Sequence, residues 1–280
     1  SAANTMMAHS DIAWTHEEFC VVMQKVSNFE IFYRAISFYL EEHASELNGL
    51  LTAIQSKIDH ARVVQQVRKT THLALIMPYL KAVQVDNLSA VNDALNELYI
   101  ESEDIENLRE SIEKYDGFDQ VAFAQKLEKH DLLEMRRIAS LLYTKNGRFK
   151  QSIDLSKQDE VWKDCMTTAR DSGQQELAES LLKFFVEKPD GECFAACLFT
   201  CYDLIRPDMA LELAWRHKLM DFCMPYMIQT MREYTSRLDK LEKKVTKKDE
   251  EEQKEKSAAN DFVATNMMGQ NGIGGTTFEF

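Results

Sequence analysis

A chain of 280 residues, 45% hydrophobic and 28% charged, is long enough for one large buried core or for an extended stack of small ones. With 33 Lys and Arg against 46 Asp and Glu, its formal net charge of -13 repels phosphate backbones and anionic lipid over most of the surface, which argues against nucleic acid and membrane as direct partners. Only 9 Gly and 4 Pro leave few of the turns that all-β folds need, so the expected class is all-α.

The 6 Cys are scattered through helical patterns without the density or loop-rich setting of a secreted disulfide framework, and are expected as free thiols in a reducing cytosol. No stretch approaches about 18 consecutive apolar residues. Ser1–Ser10 has neither a basic nor an apolar leader segment, so no export signal is expected. A start at Ser1 that runs quickly into patterned helix reads as a piece of a longer polypeptide.

From about Trp14 onward, apolar residues recur three and four apart, as in Phe29, Phe32, Tyr33, Ile36 and Leu40, the spacing that lines one face of a helix. The helices are expected to be short, roughly 10 to 15 residues. Turns are expected at Asp116-Gly117, Asn146-Gly147, Ser172-Gly173 and Pro189-Asp190-Gly191. A repeat is legible between Gln151–Met166 and Met209–Met224, 58 residues apart: Ile153 meets Leu211, Leu155 meets Leu213, Val161 meets Leu219, Cys165 meets Cys223 and Met166 meets Met224. That offset is about two hairpins of roughly 29 residues, a unit that cannot bury its apolar face alone and must stack on its neighbours. Chance likeness between amphipathic helices is the plainer alternative. Ile36–Leu51 and Phe123–Ser140 share the paired-helix character, so an α-solenoid of short hairpins is expected over residues 1–225.

Beyond Tyr226 the broad apolar faces narrow to a seam: Met220, Met224, Met227, Met231, Tyr234, Leu238, Leu241 and Val245, stepping alternately by four and three. A lone helix has no use for such a stripe, so it is expected to self-associate; packing back on its own solenoid as a cap is the alternative. Pro225 cannot donate the usual helix hydrogen bond, so a bend or fresh start is expected there. The self-associating helix and its charged extension are expected over 226–256 and a disordered tail over 257–280, whose isolated apolar points are Phe262, Met267, Met268, Phe278 and Phe280.

Little in the chain points to catalysis. Cys193, Cys197 and Cys201 share one helical face but span about 12 Å, too far for one tetrahedral ion, and read as core thiols. No His-Glu-x-x-His spacing or nucleophile–base set is present, and Thr144–Lys150 lacks the Gly-Lys-Ser/Thr of a phosphate loop and reads as a turn. No active site, metal or cofactor is expected. His60, His130 and His217 lie beside charged residues and are candidates for a pH-sensitive assembly contact.

The run Glu192-Cys193-Phe194-Ala195-Ala196-Cys197-Leu198-Phe199-Thr200-Cys201-Tyr202-Asp203-Leu204-Ile205-Arg206-Pro207-Asp208 is distinctive, and resembles the clathrin heavy chain. The likeness extends through Ala210–Trp215 and Met220–Phe222, recurs upstream in Ile58–Val64, Ser89–Asn96, Tyr115–Asp119 and Leu127–His130, and covers about Trp14 to Leu241. The resemblance implies the hub end of the heavy chain: the last repeats of the proximal leg, then the helix by which three legs join. It implies a homotrimer, the triskelion, which packs with other heavy-chain legs into a polyhedral lattice on cytoplasmic coated vesicles and coated pits, meeting membrane only indirectly through adaptors. It implies clathrin light chains as partners, with Arg62, Arg68, Lys69 and Lys81 as candidate contacts by charge. The family's Gln-Leu-Met-Leu-Thr tail motif for the uncoating chaperone is absent, leaving Met267-Met268 beside Phe262-Val263 as a diverged substitute. The competing reading is a monomeric helical-repeat adaptor that binds peptide partners; a metal enzyme built on the Cys line is a distant third.

Overall fold

A computed structural model describes the backbone of residues 2–9, 14–188 and 190–269, and the side chains of these up to residue 251 except at 249. All of its regular structure among the described residues is helical, as the composition predicts. The chain divides into two compact units, Ser1–Thr168 and Ala169–Phe280.

Unit 1 carries α1 (Ala2–Ala8), α2 (His16–Lys25), α3 (Phe29–Glu42), α4 (Leu47–Ile54), α5 (His60–Arg68), α6 (Met77–Val83), α7 (Ser89–Glu101), α8 (Ile105–Lys114), α9 (Gln120–Leu127), α10 (Leu133–Lys145) and α11 (Phe149–Gln158). Helix α12 (Trp162–Asp171) crosses the division, and unit 2 continues with α13 (Gln175–Glu187), α14 (Gly191–Thr200), α15 (Pro207–Arg216) and α16 (Met220–Gly269). Within each unit the main packing joins helices one or two places apart in the chain, such as α2 with α4, α9 with α10 and α10 with α11. That local pattern is how a solenoid buries its faces.

The helices begin and end where local chemistry supports them. Asn28, Asp59, Asp119 and Asp190 accept hydrogen bonds from the first free N–H groups of α3, α5, α9 and α14. The expected turns at Asp116-Gly117, Asn146-Gly147 and Ser172-Gly173 fall between helices, Gly147 and Gly173 adopting φ of +71° and +64°, while Asp190 caps α14, Gly191 opens it and Pro189 lies outside the described residues. In α3 the predicted stripe is buried at Phe32, Tyr33, Ile36 and Leu40, while Phe29 is exposed at the helix start.

The predicted repeat is present in the backbone. Helices α11 and α15 start at 149 and 207 and end at 158 and 216, and α12 and α16 start at 162 and 220. Between them Glu160 and Lys218 both take φ near +60°, and the N–H groups of Val161 and Leu219 donate back across that turn to the carbonyls of Ser156 and Ala214 at 2.9 and 2.8 Å. Cys165 and Cys223 are both buried and both point their thiols at a carbonyl of the preceding helix, Ile153 and Ala210, at 3.8 Å. The match fails at Met166, which is buried, against Met224, which is exposed. From that point α12 ends after a few residues, while α16 runs on for 50 residues in all.

Two expectations about the end of the chain differ from what is observed. Helix α16 passes Pro225 without a break. Pro225 removes one hydrogen bond in the second turn, and its exposed ring clashes with nothing packed there, while buried Cys223 and Tyr226 hold the flanking turns in place. The backbone also stays helical beyond Lys256, through 257–269, where the tail was expected to begin. No Pro follows Pro225, and Gly269 is the first Gly after Gly191, so nothing in between stops the helix. The remainder of the expected tail, including Phe278 and Phe280, lies outside the described residues, and only the backbone is described at Phe262, Met267 and Met268.

A polar relay crosses the core of unit 1. The Ser111 hydroxyl accepts from Gln84 Nε2 and donates to Asn96 Oδ1, both at 2.8 Å, and all three residues are buried. Replacing Ser111 with Ala strands a buried donor and a buried acceptor, and is expected to cost about 1 to 3 kcal/mol, measured as a lower urea midpoint at unchanged slope.

Candidate functional site: an exposed heptad stripe

Helix α16 is anchored to unit 2 by Cys223, Tyr226 and Thr230, three buried residues on one face. The Tyr226 hydroxyl donates to the Ile205 carbonyl at 3.1 Å, and its ring meets Tyr202 edge-on at 5.2 Å and Phe199 at 6.2 Å. Thr230 donates back to Tyr226 O and lies 3.3 Å from the Tyr202 hydroxyl. At the first turn of α14, Gly191 sits against the Phe222 ring so closely that a Cβ there would lie 2.3 Å from it. Glycine therefore lets α14 approach α16.

After Thr230 no described side chain of α16 is buried. The predicted stripe is still regular: Met231 is 60% exposed, Leu238 65%, Leu241 57% and Val245 57%, with Tyr234 and Met224 also exposed and Met220 and Met227 half-buried. Between Met231 and Val245 the stripe extends about 21 Å along the helix. Flanking charge is locally tied, with Arg237 3.7 Å from Glu233, one turn back. Nothing described within the chain covers these side chains.

The other sequence candidates are dispersed. Arg62 lies 4.0 Å above the Tyr33 ring and lines one cleft with Lys69, whereas Arg68 pairs with Glu97 at 2.9 Å and Lys81 sits over Tyr99 at another cleft. His60 shares its Nδ1 with the Tyr79 hydroxyl at 2.6 Å and lies 3.6 Å from Asp86. His16 likewise meets a tyrosine and a carboxylate, though both through Nδ1, with Tyr39 at 3.0 Å and Glu46 at 3.6 Å, a likeness that sequence reading missed because the partners are 19 to 30 residues away. His130 accepts the Leu132 N–H, and His217 caps α15 at an exposed position. Arg137 pairs with Glu134 one turn back at 3.0 Å and also reaches Asp164 of α12 at 2.8 Å.

The Cys line is in the core of unit 2, with Cys197 and Cys201 buried and Cys193 half-buried, and all are free thiols. A hydrogen bond from Cys197 holds the Cys201 thiol below its ordinary pKa, and burial, helped by Asp190, pushes Cys193 up to about 11. Among the described residues no group of three or more His, Cys, Asp or Glu is placed to hold a metal ion, and no helix is long and apolar enough to cross a membrane.

Burial also pushes Cys165 up to about 12, Cys223 to about 11 and Tyr226 to about 12. The fold therefore keeps protons that the unfolded chain releases above about pH 9, so this contribution to stability is complete below that pH and is lost as pH rises toward 11 to 12. The urea midpoint is expected to fall between about pH 8 and about pH 10.5, and Cys223→Ala is expected to flatten part of that fall.

Hairpins stacked on their chain neighbours, followed by a helix with an uncovered heptad stripe, define a helical-repeat scaffold. The family model described as a region in clathrin and VPS proteins matches residues 51–193, and the chain belongs to this clathrin family. It is 53% identical over 271 residues to clathrin heavy chain 1 of Oryza sativa subsp. japonica, covering 96% of this chain and 16% of that protein. It is 49% identical to the clathrin heavy chain of Drosophila melanogaster over 252 residues (90% and 15%), and 50% identical to clathrin heavy chain 2 of Homo sapiens over 242 residues (86% and 15%). The chain thus spans about 16% of the length of the first of these relatives.

Proposed function

We propose that the chain is the hub portion of a coat scaffold: repeats over 1–225 act as a leg, the helix over 226–256 joins three chains, and residues beyond it form an accessible end. The observation that carries this reading is the uncovered stripe from Met231 to Val245. Burying each of its large side chains stabilises an assembly by about 1.5 to 3 kcal/mol, and a step of alternating four and three places them along a coiled-coil seam. Likeness to clathrin heavy chains supports the coat role, packing with other such legs into a lattice on cytoplasmic vesicles, and indirect contact with membrane. The same likeness does not favour a monomeric peptide-binding adaptor.

Finer partners follow from charge and position. A clathrin light chain is proposed to meet Arg62, Arg68, Lys69 and Lys81, and an uncoating chaperone the end beyond residue 256. Protonation at His60, His130 or His217 is proposed to adjust leg contacts; at His130 it removes the lone pair that accepts the Leu132 N–H.

The stripe gives a direct test. By light scattering at micromolar concentration, the chain is expected to show a mass near three times 32.4 kDa, and Leu238→Asp with Leu241→Asp a mass near 32.4 kDa at unchanged helical circular dichroism. A mass near 32.4 kDa before any substitution removes the hub reading.

A further inference from the structure

Arginines in unit 1 are mostly spent on carboxylates. Arg68 pairs with Glu97, Arg109 with Glu134, Arg136 with Asp159 and Arg137 with Asp164. In a chain with 46 acidic residues this is the expected outcome. Arg34 and Arg62 are exceptions: among the described residues neither forms an ion pair, nor does Lys69, and all three line one cleft of about 640 Å³ between α3 and α5. Glu30 is the only acid on its wall, leaving the cleft two positive charges in excess. A second cleft in the same unit, with Lys81 and Lys114 against Glu110, is one positive in excess, and a third, with Lys129 against Glu128 and Asp154, is one negative.

The wall is also held in place. Gln66 on α5 donates from Nε2 to the Tyr33 carbonyl at 2.9 Å and to the Ser37 hydroxyl at 2.7 Å, which fixes α5 against α3. The Arg62 guanidinium lies over the Tyr33 ring, its carbon 4.0 Å from the centroid, which holds the cation at the cleft wall. Gln65 adds an exposed amide. Donors thus outnumber acceptors, and they come from separate points around a space of the size that takes a small molecule.

We infer that this cleft binds a small, multiply phosphorylated anion, whose oxygens meet Arg34, Arg62 and Lys69 from different sides. Planar guanidinium forks suit phosphate oxygens, and several phosphates on one small ring or chain match three separated cations better than one carboxylate does. The single aromatic surface in the cleft is already covered by Arg62, so a partner that relies on apolar contact finds little there. The net charge of the chain favours a soluble anion over a lipid headgroup, because a bilayer brings many negative charges at once. This inference does not rest on the trimer reading, and at Arg62 and Lys69 it sets a small anion in competition with the light chain proposed above.

Calorimetric titration of the full chain with inositol hexakisphosphate and with pyrophosphate, in moderate salt, tests it. Saturable binding near one site per chain is expected, weakened at least tenfold in Arg34→Gln with Arg62→Gln, and only partly in Arg62→Lys, which keeps charge but loses the fork. Arg148→Gln, at an arginine outside the cleft that also forms no ion pair among the described residues, is expected to bind as the unsubstituted chain does. Flotation with vesicles containing a phosphorylated inositol lipid separates the sources: binding there without binding of the soluble anions assigns the site to a headgroup. No saturable binding of any of these probes, or equal weakening by Arg148→Gln, overturns the inference. Circular dichroism and oligomeric mass are expected to be unchanged in Arg62→Lys, so that failure here and failure of the hub reading are told apart.

Discussion

Among the described side chains, burial along α16 ends at Thr230, because within unit 2 the helix packs mainly on α14 and α15 and has grown past both. Up to that residue the helix is an ordinary member of a repeat, with its thiol, ring and hydroxyl satisfied by its neighbours. Beyond it, the same three-and-four spacing continues with none of the described residues of its own chain covering it. Large apolar side chains left in water along one stripe favour association, and the partner proposed for so narrow a seam is another helix. The assembly reading is a consequence of that one termination of packing.

Much of this was legible in the sequence because it is local. Turn residues at Asn146-Gly147 and Ser172-Gly173 sit where a chain must reverse, and the apolar stripe of α3 is buried as its spacing requires. The 58-residue repeat was also visible, since like faces meet like faces in successive hairpins. What sequence could not give depends on distant partners. Arg34 looks like any surface arginine until α5 brings Arg62 and Lys69 beside it. Pro225 reads as a breaker by itself, but buried side chains on either side keep the turn helical. The extension of α16 to Gly269 was obscured by composition: polar residues without Gly or Pro are compatible with helix even when they bury nothing.

Electrostatics divide the molecule in a similar way. Bidentate contacts such as Arg136 with Asp159, Nε to Oδ2 at 3.0 Å and Nη2 to Oδ1 at 2.9 Å, join elements that hydrophobic packing has already brought together. They specify register more than they add stability, since the groups are partly solvated. Where an arginine lacks such a partner, its charge is available for something outside the chain.

The turn shared by the two repeats has one further consequence. Glu160 and Lys218 occupy a left-handed conformation that glycine would adopt more easily, at a cost of about 1 kcal/mol each. A side chain at that position limits the alternative angles the link can sample, whereas glycine would leave it loose. These links therefore behave as stiff joints rather than swivels, and any bending a load imposes must be taken up by sliding between helices or by helix curvature.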